Sequence, residues 1–227
     1  MTTYPQGFRI HPRDLTPDGG PFMPRSQWLT VDIYGRGDFY SLSAAKAAAS
    51  AGDTIYVLTQ GSASATQAIT VNLTIIFAPG VGHTSAFLQN CFTVNACTLT
   101  LIGQGNNTVA GSTNGVRLLN ATANLNVFNM NIRGGNAGAL YAVNAGSIVK
   151  ARNTVFNAPF APSNLGLSVP NALAAGTEFE YCAFAGSVDG ATSTGGVWAN
   201  APFFHCTFEG GRNQITFAAG NTNNVDF

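Results

Sequence analysis

The chain has 227 residues, of which 45% are hydrophobic and 9% are charged, and its formal net charge is zero. This length allows one large domain or two small ones with a sizeable core. The sparse and scattered Lys and Arg residues argue against a groove that tracks phosphates, and no apolar run reaches the roughly 18 residues of a membrane span, so we expect neither a nucleic-acid partner nor membrane insertion.

Residues 1–40 are predicted to form an irregular docking arm. They hold half of the ten prolines in the chain, and proline removes a backbone donor and prevents regular strand pairing. The tetrapeptide GRGD at 35–38 contains a tripeptide that integrins read, but so short a motif recurs by chance and also suits a turn. The apolar residues that would anchor the arm on a partner are Phe8, Ile10, Leu15, Phe22 and Trp28.

Residues 41–52 are rich in alanine and are predicted to form a helix. Ser41 or Ser43 would serve as the N-cap, and Gly52 would end the helix. We expect this helix to cover the open N-terminal end of the domain that follows, which spans 41–227.

Short apolar runs recur at nearly constant spacing along that domain. Leu73, Leu99 and Leu125 are 26 residues apart, and the later series Ile132, Phe156, Phe184 and Phe208 is spaced by 24, 28 and 24 residues. Such a period is typical of stacked repeats. Because each repeat has several short β runs, the sequence predicts an all-β fold, a single-stranded right-handed parallel β-helix of roughly seven coils.

The alternation of side chains gives the expected inward and outward columns. Cys182 and Phe184 would point inward over Cys206 and Phe208 of the next coil, because side chains alternate along a strand. The outward column would then contain Asn129, Asn153, Tyr181 and His205. The opposite alternation would instead bury Phe179, Tyr181 and Ala183 and expose the Cys–Phe columns, and we prefer the first.

The four cysteines form no CxxC pair and have no histidine at zinc-finger spacing. We therefore expect buried free thiols, no metal site and no cofactor.

Several segments resemble known proteins. SLSAAKAAASAGDTIYVLTQG at 41–61, NLTIIFAPG at 72–80 and TLTLIGQG at 98–105 resemble the first coils of the pectate-lyase-like β-helix superfamily, and HCTFEGGRNQITF at 205–217 resembles a late coil. VDIYGRGDFYSL at 31–42 resembles the linker before the β-helix in bacteriophage tailspike, fibre and head-decoration proteins. That resemblance implies an arm attached to the particle and a projecting homotrimer.

The acidic residues available for catalysis are few. Glu180, Asp189 and Glu209 are the candidates for a carboxylate pair that cleaves sugar chains. The Asp clusters and Ca²⁺-binding acids of enzymes in the resembled superfamily are absent from the sequence, so we expect no catalytic site. Tyr181, Trp198 and His205 could form a platform for sugars, but we favour ordinary stacking under a loop or at a subunit contact as their explanation.

Our leading hypothesis is a structural virion protein of a bacteriophage, a capsid decoration, spike or fibre, without enzymatic activity. It would bind other virion proteins through residues 1–40, form a homotrimer, and adhere weakly to host surface glycans. Because no signal peptide is visible, we expect assembly in the host cytoplasm. The alternatives are a polysaccharide depolymerase, lyase or hydrolase, and a bacterial surface adhesin module.

Overall fold

The computed structural model describes residues 28–144, 146–158, 165–169, 173–186, 189–193, 203–210 and 213–217. They form a parallel β-solenoid of about six turns, against the roughly seven expected. The first sheet has 13 strands. In chain order these strands are β1 Trp28–Val31, β2 Thr54–Val57, β3 Gly61–Ala63, β5 Leu73–Phe77, β6 His83–Ser85, β8 Thr98–Gly111, β10 Asn124–Gly134, β12 Val149–Arg152, β13 Val155–Ala158, β15 Glu178–Glu180, β16 Ala183–Gly186, β18 Phe203–Phe204 and β19 Thr207–Gly210.

The second sheet has seven strands and closes the other side of each coil. All pairings in both sheets are parallel, which is what one coil lying on the last requires. The fold class predicted from the repeats is therefore confirmed. The seven strands are β4 Gln67–Ile69, β7 Phe92–Val94, β9 Asn114–Leu118, β11 Gly138–Ala142, β14 Leu165–Val169, β17 Asp189–Ser193 and β20 Asn213–Phe217.

The alanine-rich segment forms helix α1, Leu42–Ala48. Ser41 is the N-cap, because its Oγ accepts a hydrogen bond from the Ala44 N–H at 3.2 Å. Leu42 and Ala45 are buried, and the helix packs on β1 and β2. The helix is shorter than expected, since the chain is already extended at Ala49. Gly52 lies instead in the turn before β2, with a left-handed φ of 91°.

Equivalent residues of successive coils pack in inward columns. Leu73 is in register with Leu99, and Leu99 with Leu125. All three are at most 3% exposed. In a second column, Ile132 is in register with Phe156 and Phe156 with Phe184. The sequence period thus corresponds to one coil, because each residue lies against its equivalent one coil away.

Two stacks of phenylalanine rings fill the core of the later coils. Phe156, Phe184 and Phe208 lie one above the other, with ring centroids 5.1 Å apart at both steps. The second stack places Phe179 on Phe203 at 4.9 Å. The stacks meet edge to face, at 5.2 Å between Phe179 and Phe184. Both geometries are favourable for aromatic rings, and the predicted contact of Phe184 with Phe208 is confirmed.

The alternation of side chains reverses at Tyr181. Cys182 and Phe184 are buried and Tyr181 is 50% exposed, as expected, yet Phe179 is fully buried as well. Tyr181 has a φ of 52°, and a left-handed residue turns the chain through a corner between β15 and β16. The two alternations that the sequence analysis treated as exclusive are therefore each followed on one side of this corner.

The parallel sheet begins inside the segment that the sequence assigned to the arm. Trp28 opens β1, which pairs with β2 in register from Trp28 to Val31. Loop 32–39 covers the other edge of β1, because the Phe39 N–H donates to the Thr30 carbonyl and the Phe39 carbonyl accepts from the Asp32 N–H, both at 3.0 Å. An uncovered strand edge is a template for pairing with another chain, so this loop acts as an edge cap.

The GRGD tetrapeptide forms the centre of that edge cap. Asp38 Oδ2 accepts hydrogen bonds from the Thr30 N–H at 2.9 Å and from Thr30 Oγ1 at 2.8 Å. Arg36 Nε donates to Asp32 Oδ2 at 2.7 Å. A Cβ on Gly37 would lie 2.7 Å from Asp32 N and 2.8 Å from Thr30 O, so glycine is required there. The two charged side chains of the motif are thus engaged within the cap.

Candidate functional site

Five coils turn at the same corner of the solenoid through a residue with left-handed backbone. Each of the five side chains is exposed, which confirms the predicted outward column and extends it by one coil. Asparagine and histidine are enriched among residues in this conformation, whereas tyrosine adopts it less often. The five residues are Asn106, Asn129, Asn153, Tyr181 and His205, with φ between 49° and 56°.

A groove of about 440 Å³ runs beside the first three of these corner residues. Its lining contains no charged side chain. Five asparagines supply most of its polar groups, and an amide offers both donors and acceptors. We call this feature the corner groove. Its asparagines are Asn106, Asn107, Asn129, Asn131 and Asn153.

Hydrogen bonds hold the amides of the corner groove in place. Asn153 Nδ2 donates to Asn129 Oδ1 of the preceding coil at 3.2 Å. Asn107 is buried, and its Nδ2 donates to the Ala78 carbonyl at 2.6 Å and to the Val81 carbonyl at 2.8 Å. Asn107 therefore ties the floor of the groove to the coil below. The Oδ1 atom of Asn131 is buried and has no hydrogen-bond partner within the described residues.

Two of the three residues proposed as a sugar platform lie together. The rings of Tyr181 and His205 are stacked, with centroids 5.0 Å apart and planes 10° from parallel. Each ring covers one face of the other, which leaves one face of each ring outside the stack. Trp198 lies outside the described residues. The stacking interpretation of the sequence analysis thus accounts for one face of each ring, and the adjoining corner groove offers the amides.

The three candidate carboxylates lie on different parts of the coil. Glu180 is in register with Arg152, and the Arg152 Nε lies 3.2 Å from Glu180 Oε2 in an ion pair. Glu209 is in register with Ala185, on the other side of the corner. Asp189 begins β17 in the second sheet. The structure therefore gives Glu180 a cationic partner and distributes the three acids over three strands.

Most of the proposed docking residues, namely Phe8, Ile10, Leu15 and Phe22, lie outside the described residues. Trp28 is described and forms part of β1, where its side chain is 41% exposed. Three further large hydrophobic side chains are exposed near it in sequence, Ile33, Tyr34 and Tyr40. These three were not predicted as anchors because they lie within the linker-like segment 31–42, whereas most of the proposed anchors precede it.

His83 is a buried titratable group away from the corner groove. It is in register with the buried Val109 of the next coil and is itself 2% exposed. Neither ring nitrogen has a hydrogen-bond partner within the described part of the chain. Burial lowers the pKa of His83 from 6.5 to about 4. Its ring packs on Gly61, where a Cβ would lie 2.9 Å from His83 Nδ1. A larger residue at position 61 would therefore clash with the imidazole ring.

Comparisons of the chain with protein families, with curated proteins and with solved structures found no match. Within the residues that the structure describes, no three His, Cys, Asp or Glu side chains are grouped so as to hold a metal ion. No helix among the described residues has the length and apolar character needed to cross a bilayer.

Proposed function

We propose that this chain is a structural protein of a bacteriophage particle, with the solenoid as a rigid projecting body and residues 1–40 as its attachment. The observation that carries the proposal is the continuous stack: the two sheets hydrogen-bond every coil to the next, from β1 to β20. Such a body resists local opening because its backbone groups are paired on both sides. The reason for proposing a bacteriophage particle is that residues 31–42 resemble the linkers of phage tailspike, fibre and head-decoration proteins.

The N-terminal end of the stack is the end that would face the particle. β1 is the first strand of the stack, so Trp28, with which the described part of the chain begins, lies at that end. Trp28, Ile33, Tyr34 and Tyr40 add exposed apolar surface there. Exposed aromatic side chains of this kind are enriched at protein interfaces. The attachment would therefore combine the arm with the outer surface of the edge cap.

The outward face of the first sheet suits contacts between copies. Ile76, Ile102 and Phe128 form a partly exposed apolar column in register. Thr74 and Thr100 form an uncharged column beside it. An apolar column of this kind is buried when it lies along a three-fold axis and three copies close around it. We therefore propose a homotrimer built on this face.

Sedimentation equilibrium tests the trimer. We expect a mass of three times 23.6 kDa for the wild type and a monomer for Ile102→Glu, because the variant buries a charge at the interface. Phe87→Glu, at a residue 77% exposed elsewhere on the surface, serves as control and should remain trimeric. A monomeric wild type would contradict the proposed assembly.

The corner groove would supply weak adhesion to host glycans. Its amides donate and accept hydrogen bonds as sugar hydroxyls require, and its uncharged lining favours neutral glycans. We expect the protein to bind neutral glycans on a printed array and Asn153→Asp to bind them at least tenfold less. Asn120→Asp is the matched control, because Asn120 pairs with Asn95 outside the groove. Binding only to anionic glycans would contradict this part of the proposal.

The structural role is tested on particles. Lysates from infected cells are separated on a density gradient, and fractions are probed with antibodies against the solenoid. We expect the protein to band with intact particles, and a variant with Phe8, Ile10 and Phe22 changed to serine to remain at the top of the gradient. Wild-type protein found only in the particle-free fractions would overturn the proposal.

A further inference from the structure

Cys182 and Cys206 occupy equivalent positions on adjacent coils. Each follows a corner residue, and the Thr207 N–H donates to the Cys182 carbonyl at 2.9 Å. The strands that begin at Ala183 and Thr207 are parallel and in register. The two Cα atoms are therefore about one strand spacing apart, roughly 4.8 Å. That separation falls in the range of about 4.4–6.8 Å that a disulfide spans.

The two thiols follow equivalent corners on adjacent coils but differ in their surroundings. Cys182 Sγ lies 3.4 Å from the Glu180 carbonyl oxygen, and Cys206 Sγ lies 3.4 Å from the Phe179 carbonyl oxygen on the preceding coil. Cys182 is 2% exposed, whereas Cys206 is partly exposed. A small oxidant can therefore reach Cys206, while Cys182 is accessible only from Cys206.

The two neighbouring thiols differ in acidity. The interaction with Cys182 lowers the pKa of Cys206, and the interaction with Cys206 raises the pKa of Cys182. In contrast, burial raises the pKa of Cys91, which is fully enclosed. The thiolate is the form that reacts with peroxides, and sensor cysteines combine exposure with a neighbouring thiol that resolves the first product.

We propose that Cys182 and Cys206 form an oxidation site at which a peroxide converts the two thiols into a disulfide between adjacent coils. The Cys206 thiolate attacks one peroxide oxygen, the O–O bond breaks, and hydroxide leaves, which gives a sulfenic acid at Cys206. Cys182 then attacks the Cys206 sulfur and the hydroxyl group leaves as water. In total two thiols and one hydrogen peroxide give one disulfide and two waters.

This inference rests on the position of the two thiols and is independent of the proposed role in a particle. It applies to the chain as a monomer or as a trimer. The disulfide would join two coils that the backbone ladder already holds together, so it forms without rearrangement of the fold.

Mass spectrometry of the full-length protein tests the site. The native protein is treated with hydrogen peroxide, remaining thiols are alkylated in denaturant, and peptides are analysed without reduction. We expect a Cys182–Cys206 linked peptide in most molecules, with Cys91 and Cys97 alkylated. Cys206 found alkylated, or found as sulfinic acid while Cys182 is alkylated, would overturn the proposal.

Two variants separate the roles of the thiols. In Cys182→Ser the resolving thiol is missing, so we expect the sulfenic acid at Cys206 to persist and to be trapped by dimedone. Cys91→Ala is the matched control, because Cys91 is also buried in the core but lies far along the chain, and it should give the same linked peptide as the wild type. A dimedone adduct on Cys182 of the wild type, with none on Cys206 of Cys182→Ser, would contradict the assigned order.

Discussion

Residues with left-handed backbone set the direction of the side chains at the corner of this solenoid. Asn129, Asn153 and His205 are of residue types enriched in this conformation, whereas Tyr181 adopts it at some cost. The ring stack of Tyr181 on His205 and the hydrogen bonds of the coil offset that cost. The corner therefore depends on one backbone angle in each coil.

Substitution of Asn153 tests the corner. Asn153→Ala should lower the free energy of unfolding by about 1 kcal/mol, since alanine resists left-handed backbone. Asn153→Gly loses the same amide but tolerates the angle, so we expect a smaller loss. Urea denaturation measures both. If glycine were as harmful as alanine, residue 153 would not be left-handed in solution.

His83 is the residue whose charge state bears most directly on stability. Its pKa is lowered to about 4 by burial. As the pH falls, the unfolded chain binds the proton first, so stability is unaffected above pH 6.5 and is lost between pH 6.5 and about pH 4. The loss attributable to this group is about 3 kcal/mol.

His83→Leu should remove that part of the acid sensitivity. We expect the variant to be at least as stable as the wild type at pH 7, because two unpartnered nitrogens leave the core, and to lose less stability on acidification. Thermal unfolding midpoints from pH 7 to pH 4 measure the difference. His205→Asn, at an exposed histidine, should retain the wild-type dependence, and an identical profile for His83→Leu would contradict the assignment.

At the scale of the elements, the edge cap is held in place by a small number of contacts. Asp38 bonds Thr30 twice and Gly37 allows the close approach. Asp38→Ala should destabilise the protein by about 1 kcal/mol, because Thr30 loses two hydrogen bonds at an exposed site that water can reach, and should promote aggregation through the edge of β1. Light scattering and urea denaturation measure both effects. Asp38→Asn keeps an acceptor and should recover part of the loss; a soluble, fully stable alanine variant would argue against the cap.

The phenylalanine stacks carry the core of the later coils. Phe184→Ala removes a ring that contacts both stacks, so we expect a loss of about 3–5 kcal/mol. Phe204→Ala changes the same residue type on the outside of the coil, where the ring is 45% exposed, and should cost far less. Equal losses in urea denaturation would show that Phe184 does not lie inside.

The stacked columns were predictable because they leave a period in the sequence. Leu99 must resemble Leu73 and Leu125, since it lies between them at one strand spacing from each. The burial of Phe179 was not predictable, because it depends on the φ of Tyr181, which side-chain type does not disclose. The role of Asp38 was likewise hidden, because its hydrogen bonds to Thr30 join residues that no repeat relates. For the candidate site, the outward column was foreseen and the corner groove beside it was not.

At the scale of the whole molecule, few charges and long parallel ladders give a stiff body with a mostly uncharged surface. The core columns keep equivalent residues in register, and the corner repeats the same bend in each coil. The proposed trimer contact adjoins the corner groove, because Phe128 directly precedes Asn129, and the proposed attachment lies at the N-terminal end of the same unit. All three features depend on the register between neighbouring coils, because a shift of one residue would exchange inward and outward side chains.

Nuclear Overhauser spectroscopy on protein with selectively labelled phenylalanine tests that registry most directly. The account predicts ring-to-ring contacts from Phe184 to both Phe156 and Phe208, together with an amide contact from Thr207 to Cys182 across the parallel ladder. Absence of the Phe184–Phe208 contact, or short Hα–Hα contacts of antiparallel strands in its place, would contradict the account.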